Sequence, residues 1–360
     1  MRAALKHAQP DHTPCDYFAT PEIHQGLLDH FGLQQAASAT MSTSGRSYAD
    51  DDIRECLGTD IRYVKAPYTG PPLPSFDDGS ATNIWGVRRR PMPNRYGEYA
   101  EPVGEPYAAF ETPDDVDRFP WPDPDWFDYE AIPSLCAQYP GLAIAAGGMD
   151  VQDFINGVAF GRGVEQVLLD IGERSPVYLA IVEKRHRFYL EYIERMLEAG
   201  SGRIDFVFCG DDFGTQNGPL ISPTTFEDVF AAKKRELFDL AHAYGAKVSH
   251  HCCGSSRALF PNFITCGMDA LQTIQIRAAG MDPYELKADF GDSITLHGAV
   301  DVQGWLQQAT PAEVREEVDR LMDGVGAGGG YILSPSHNLQ PDIPLENVLA
   351  VYDTVARRRR

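Results

Sequence analysis

Nowhere in this chain does an apolar run approach the roughly 20 residues that a membrane-spanning helix needs, so a spanning segment is not expected. The opening stretch MRAALKHAQPDHTPCDYF also lacks the compact apolar block of a secretory signal. Seven cysteines, an odd number scattered from Cys15 to Cys266, do not make a disulfide framework. A cytoplasmic protein with reduced thiols is the expectation. Basic charge is scarce as well: 31 Lys and Arg face 52 Asp and Glu, for a net charge of −21. That balance disfavours nucleic acid and anionic membranes, which bind through basic patches. The glycine run GVGAGGG at 324–330 precedes a strand pattern, whereas a nucleotide loop follows a strand and opens a helix. Neither NAD nor ATP is expected.

What the chain does have, from about residue 140 onward, is short apolar runs alternating with longer amphipathic stretches. The expected strands are 142–148, 204–212, 247–253, 270–274, 294–301 and 331–337. Two intervening helices have well-formed starts, with Ser222 before Pro223 and Thr310 before Pro311 as cap and first helical residue. Parallel strands with polar residues gathered at their ends fit an α/β fold of the (β/α)8 TIM-barrel type, with its site at the C-terminal face. A doubly wound open sheet is the runner-up. LENVLAVYDTVA followed by Arg357 to Arg360 reads as a last helix whose cations oppose the macrodipole.

Residues 1–135 differ, being rich in Pro, Gly and aromatics with little periodicity. Disordered segments are poor in Trp, Tyr and Phe. An ordered extension with hairpins, packed on the barrel, contributing its first elements and partly roofing its mouth, is therefore expected, and residues 136–360 supply the main part of the barrel. VRRRP at 87–91 reads as a solvated loop, although arginines near a site could hold an anionic substrate.

The stretch VSHHCCGSS at 248–256 carries the most chemistry. Strand alternation sets His251 and Cys253 on one face and His250 and Cys252 on the other. Apolar Val248 shares the second face, so His251 and Cys253 are the expected inward pair, spaced as two corners of a zinc tetrahedron. Ordinary burial of a free Cys and a hydrogen-bonded His is the competing reading. A third ligand must come from elsewhere, and His337 in SPSHNLQP ends another strand at the same mouth; it doubles as a catalytic candidate. His297 reads as core. Asp211 and Asp212 in FCGDDFG are candidate catalytic carboxylates, with one of them expected to reach the lumen and a turn or cap as the alternative. Met149, Asp150, Gln272 and Asp301 are the candidate substrate contacts.

HHCCGSSRALFPNFITCGMDAL, LHGAVD and GGYILSPSHNLQPDIPLENVLAVYD resemble the uroporphyrinogen decarboxylase superfamily, which includes the decarboxylase and zinc-dependent methyltransferases that move methyl groups between corrinoid proteins and a thiol or folate. The resemblance implies a (β/α)8 barrel. It also implies that His251 and Cys253 are zinc ligands, with His337 where the methyltransferase branch has a late cysteine. The decarboxylase branch has a histidine there in a Gly-His-Gly context, whereas His337 lies between Ser336 and Asn338. Its N-terminal arginine motif has no counterpart in PDHTPCDYFATPEIHQGL.

The expectation is therefore a zinc-dependent methyltransferase or demethylase that activates a thiol or hydroxyl substrate, with a small-molecule substrate, a possible corrinoid protein as partner and a possible homodimer. A metal-free carboxy-lyase acting on a cyclic or aromatic acid is one alternative. A small-molecule or corrinoid-binding protein without turnover is the other.

Overall fold

The computed structural model describes residues 1–34, 40–42, 45–47 and 51–359. Seven strands form one curled sheet in chain order: β1 Ile61–Val64, β2 Ala143–Gly147, β3 Phe206–Gly210, β4 Lys247–His251, β5 Ala270–Ile274, β6 Thr295–Val300 and β7 Tyr331–Pro335. Every neighbouring pair is parallel. Strands β2, β3, β5, β6 and β7 are buried at every position, as parallel strands covered on both faces must be.

The N-terminal segment completes the ring. Cys15 bridges Leu333 and Ala19 bridges Leu339, both in parallel, which places residues 15–19 beside β7. On the other side the Asp60 N–H, just ahead of β1, donates to the Cys15 carbonyl at 3.0 Å. Arg54 fills the seam above that bond: its guanidinium donates to the Asp16 carboxylate and to the Tyr17 carbonyl, each at 2.5 Å, and lies 4.9 Å from the Tyr63 ring centre. The fold is a (β/α)8 barrel whose first two strands come from the aromatic N-terminal region. The extension thus contributes the first elements, but neither strand is legible in the sequence, because both are short and carry Asp16 and Arg62 among their apolar residues.

Alternation along these strands sorts the side chains. Val207, Val248, Leu271, Leu296 and Leu333 join the large core between sheet and helices. Phe18, Tyr63, Phe208 and His297 meet inside the barrel, with ring centres 5.6 to 6.2 Å apart. His297 is buried there, 3.4 Å from Asp16, in keeping with a core role.

The two helix starts form as the sequence indicates. Ser222 Oγ accepts the Thr225 N–H at 3.0 Å, and Thr310 and Glu313 cap each other reciprocally. The closing helix, Leu345–Arg358, ends in cations that pair with Asp319 and Asp323. No described helix is long and apolar enough to cross a membrane.

The N-terminal region is ordered through its aromatics: Trp85 packs on Phe188 and Tyr189 of helix Pro176–Gly200, and on Trp121. VRRRP is a strand and not a loop. Arg88–Pro93 pairs antiparallel with Ala81–Thr82 and Glu98–Pro102. This small sheet is largely exposed, so no apolar alternation marked it. Its tip turns on Asn94, whose Oδ1 accepts the N–H groups of Tyr96 and Gly97. The hairpin runs from Phe160, which follows β2 and lies 4.3 Å from the Arg89 guanidinium, to Glu22, whose Oε1 would sit 2.6 Å from a Cβ on Gly97. Glu22 follows the Asp16 strand, so the hairpin lies across the mouth above β1.

Arg54→Met should destabilise the protein by about 3–5 kcal/mol in urea unfolding, because it strands the buried Asp16 carboxylate; adding Asp16→Leu should restore part of that loss. Burial pushes the Asp16 carboxyl up, but Arg54, His297 and Tyr63 together bring it down to about 2. A depressed carboxyl contributes stability above its unfolded pKa of about 3.9. Stability in the wild type should therefore fall as pH drops from about 4 towards 2, and the Arg54→Met, Asp16→Leu pair should lose that component.

Candidate metal centre at the barrel mouth

β4 ends at His251, and the chain continues outward through Cys252 and Cys253. Cys253 Sγ lies 3.3 Å from His251 Nε2, so the two share a face. The intervening residues go the other way. His250 is buried with its ring stacked near those of Phe213 and Phe263, and burial holds it neutral by pulling its titration well down. Cys252 Sγ accepts the Phe213 N–H at 3.4 Å.

The neighbouring strand β3 supplies the third group. Gly210 allows the chain to pass: a Cβ there would meet the Met149 carbonyl at 2.2 Å. Two residues on, Asp212 accepts the Cys253 N–H and the Asn156 side-chain amide, both at 2.8 Å. Its carboxylate lies 3.5 Å from His251 Nε2. One donor atom from each of Asp212, His251 and Cys253 lies within 4.8 Å of the others.

On its far side His251 Nδ1 is hydrogen-bonded to Gln272 Oε1, a residue paired with it across β4 and β5. A carbonyl oxygen there selects the Nδ1–H tautomer, which leaves the Nε2 lone pair facing Cys253 and Asp212. Imidazole, thiol and carboxylate make a mixed set that suits zinc, and three protein ligands leave one position for substrate, as in catalytic zinc sites. Burial, Asp212 and Cys252 push the Cys253 thiol up, which keeps it protonated until a cation compensates. Asp212 itself is lowered: burial opposes ionisation, but His251 and the Cys253 and Asn156 hydrogen bonds outweigh it.

The other candidates fall in different places. Asp211 turns away from the lumen, accepting the N–H groups of Phe154 and Ile155 at 3.1 and 3.0 Å, with Lys234 Nζ at 3.8 Å. It anchors a loop, and burial raises it to about 6 despite Lys234. His337 lies outside the three-donor cluster. It is half-buried just after β7, and burial and His251 lower its titration against the opposing effect of Asp212. Asp212 joins the cluster from β3, which adjoins β4, and His337 follows β7, three strands from β4. Gln272 is buried and engaged with His251, so it supports the imidazole instead of meeting substrate. Asp301 is buried and occupied by Arg277 Nε at 2.6 Å and the Gln303 N–H at 2.7 Å. Met149 is exposed at the rim, and Asp150 is half-buried with Oδ2 unpartnered. Asn156 and Lys65 belong to the same mouth and were not anticipated. Lys65 was findable: in IRYVK, residues 61, 63 and 65 share one strand face.

Residues 101–358 match the model of the uroporphyrinogen decarboxylase (URO-D) family. The chain belongs to that family. Among curated relatives, a uroporphyrinogen decarboxylase of Geotalea daltonii is 25% identical over 185 residues, which is 50% of this chain and 49% of that protein. That of Pseudoalteromonas atlantica is 32% identical over 75 residues, 21% of each. The match spans about half the length of the first of these relatives, or less. A methyltransferase from Methanosarcina mazei has a similar fold, with a TM-score of 0.63 and 18% identity, over 99% of this chain and 96% of its own.

Two outcomes test the centre. Gln272→Leu should weaken zinc binding by about 10–100-fold in a competitive chelator titration while the circular dichroism spectrum stays unchanged. Zinc affinity should fall as pH is lowered, since the Cys253 thiol must lose its proton on binding, and Cys253→Ala should flatten that dependence.

Proposed function

We propose that the protein is a zinc-dependent methyltransferase in which a thiol or hydroxyl acceptor is activated at the barrel mouth. The observation that carries this reading is the Asp212, His251 and Cys253 cluster, with Gln272 fixing the imidazole and one side left for substrate. Zinc bound there would supply a Lewis acid that makes a thiol or hydroxyl nucleophilic near neutral pH.

The chain's own residues do the rest. Asn156 and the Cys253 N–H hold Asp212 in place. His337, kept neutral by burial and facing the same mouth, takes the acceptor's proton. Met149 and Asp150 line the rim along which the substrate enters. The methyl group arrives on a separate corrinoid protein. Membership of a family of enzymes and the fold shared with a methyltransferase support the reading.

The family match also favours a second reading, a carboxy-lyase that needs no metal. Incubating the zinc-loaded protein with methylcobalamin and a small thiol distinguishes the two. Thiol methylation should fall at least about a hundredfold in metal-stripped protein and in His251→Ala, since a Lewis acid is worth several kcal/mol. Methylation indifferent to both changes, or carbon dioxide release from a cyclic acid by metal-stripped protein, would overturn the methyltransferase reading.

A further inference from the structure

The roofing hairpin divides its three consecutive arginines by face. Arg88 and Arg90 point to Asp78, at 2.8 and 3.9 Å, and Arg88 Nε also donates to Ser80 at 2.6 Å. Arg89, between them, points the opposite way and lies over Phe160, under the hairpin. Among the described residues it has no ion pair. Its acidic neighbours, Asp153 and Glu101, stay beyond pairing distance. Its Nε is buried without a partner, and Nη1 makes a single long contact of 3.4 Å to the Ala100 carbonyl. A desolvated guanidinium with an unused donor calls for an acceptor.

Beneath the hairpin, Lys65 follows β1 on the lumen face. It is half-buried and makes no ion pair or hydrogen bond among the described residues. Its Nζ lies 3.7 Å from where a Cβ on Gly148 would stand, a point 2.6 Å from Asp150 Oδ1, which makes no ion pair with it. From there the site is continuous: Gly148 leads to Met149, whose carbonyl covers Gly210, and a Cβ on Gly210 would lie 3.1 Å from His251 Cβ. Lys65 thus lies on the side of the mouth next to the donor cluster, and Arg89 lies under the hairpin that crosses the mouth. In a chain of net charge −21, cations with no carboxylate inside pairing distance among the described residues stand out.

We propose that Arg89 and Lys65 recognise an anionic group, of the carboxylate class, on the substrate whose reacting thiol or hydroxyl lies at Asp212, His251 and Cys253. The identity of the reacting end rests on the proposed function; the anion site rests on the hairpin and β1 alone. Arg89 and Lys65 are specificity-determining residues: they bind the end of the substrate that does not react, and the hairpin that carries Arg89 closes the mouth over it.

Calorimetry with two thiols of matched length tests this: 3-mercaptopropionate, which carries a carboxylate, and 3-mercapto-1-propanol, which does not. Both are titrated into metal-free and zinc-loaded protein. The acid should bind wild type at least about tenfold more tightly than the alcohol in either form, as one charge-assisted bond predicts. Arg89→Gln and Lys65→Gln should each narrow that preference, and together abolish it. Arg89→Lys should keep most of it, and Arg90→Gln all of it. If zinc fails to bind, the methyltransferase reading falls, while the metal-free comparison still decides the anion site. Equal binding of acid and alcohol by wild type, no binding of the acid at all, or a preference that survives the double substitution would overturn the proposal.

Discussion

A strand shows successive side chains to opposite faces, and that two-residue period governs nearly every functional placement in this barrel. At the end of β4 it joins His251 to Cys253 and sends His250 and Cys252 under the helices. After β3, Asp212 reaches the mouth and Asp211 anchors a loop behind it. In the hairpin the same rule frees Arg89 while Arg88 and Arg90 are held by Asp78. In each case, slipping the chain by one residue would exchange a polar group facing the pocket for one facing the core or solvent.

Such a period is legible in a sequence only where the strand itself is legible. The six strands after residue 140 stand out because they are short, largely buried runs set between longer amphipathic stretches. The inward pair at β4 is legible because Val248 marks the opposite face. Residues 15–19 and β1 are not legible as strands, because Asp16 and Arg62 lie where apolar residues would mark them. Lys65 was lost with β1. Hairpins are expected in this region, but the strand at 88–93 is not legible within it, since a largely exposed sheet has no apolar stripe to display.

Partnerships between strands are harder to read than the strands. His337 and Asp212 both end strands at one mouth, and chain position alone does not show that Asp212, from the strand beside β4, meets His251 and Cys253. Gln272 and Asp301 lie in suitable strands, but their hydrogen-bonding capacity is taken by His251 and by Arg277. A polar residue near a mouth is available to substrate only if no protein group has claimed it. By that criterion Asp150, Lys65 and Arg89 retain unused capacity where Asp301 does not.

The account stands on Asp212, His251 and Cys253 forming one metal centre. X-ray absorption at the zinc edge of the zinc-loaded protein reads that centre directly. One sulfur at about 2.3 Å with the remaining ligands nitrogen or oxygen near 2.0–2.2 Å is the predicted shell, gaining a second sulfur when a thiol is added. A shell without sulfur, or with two or more before any thiol is present, would contradict it.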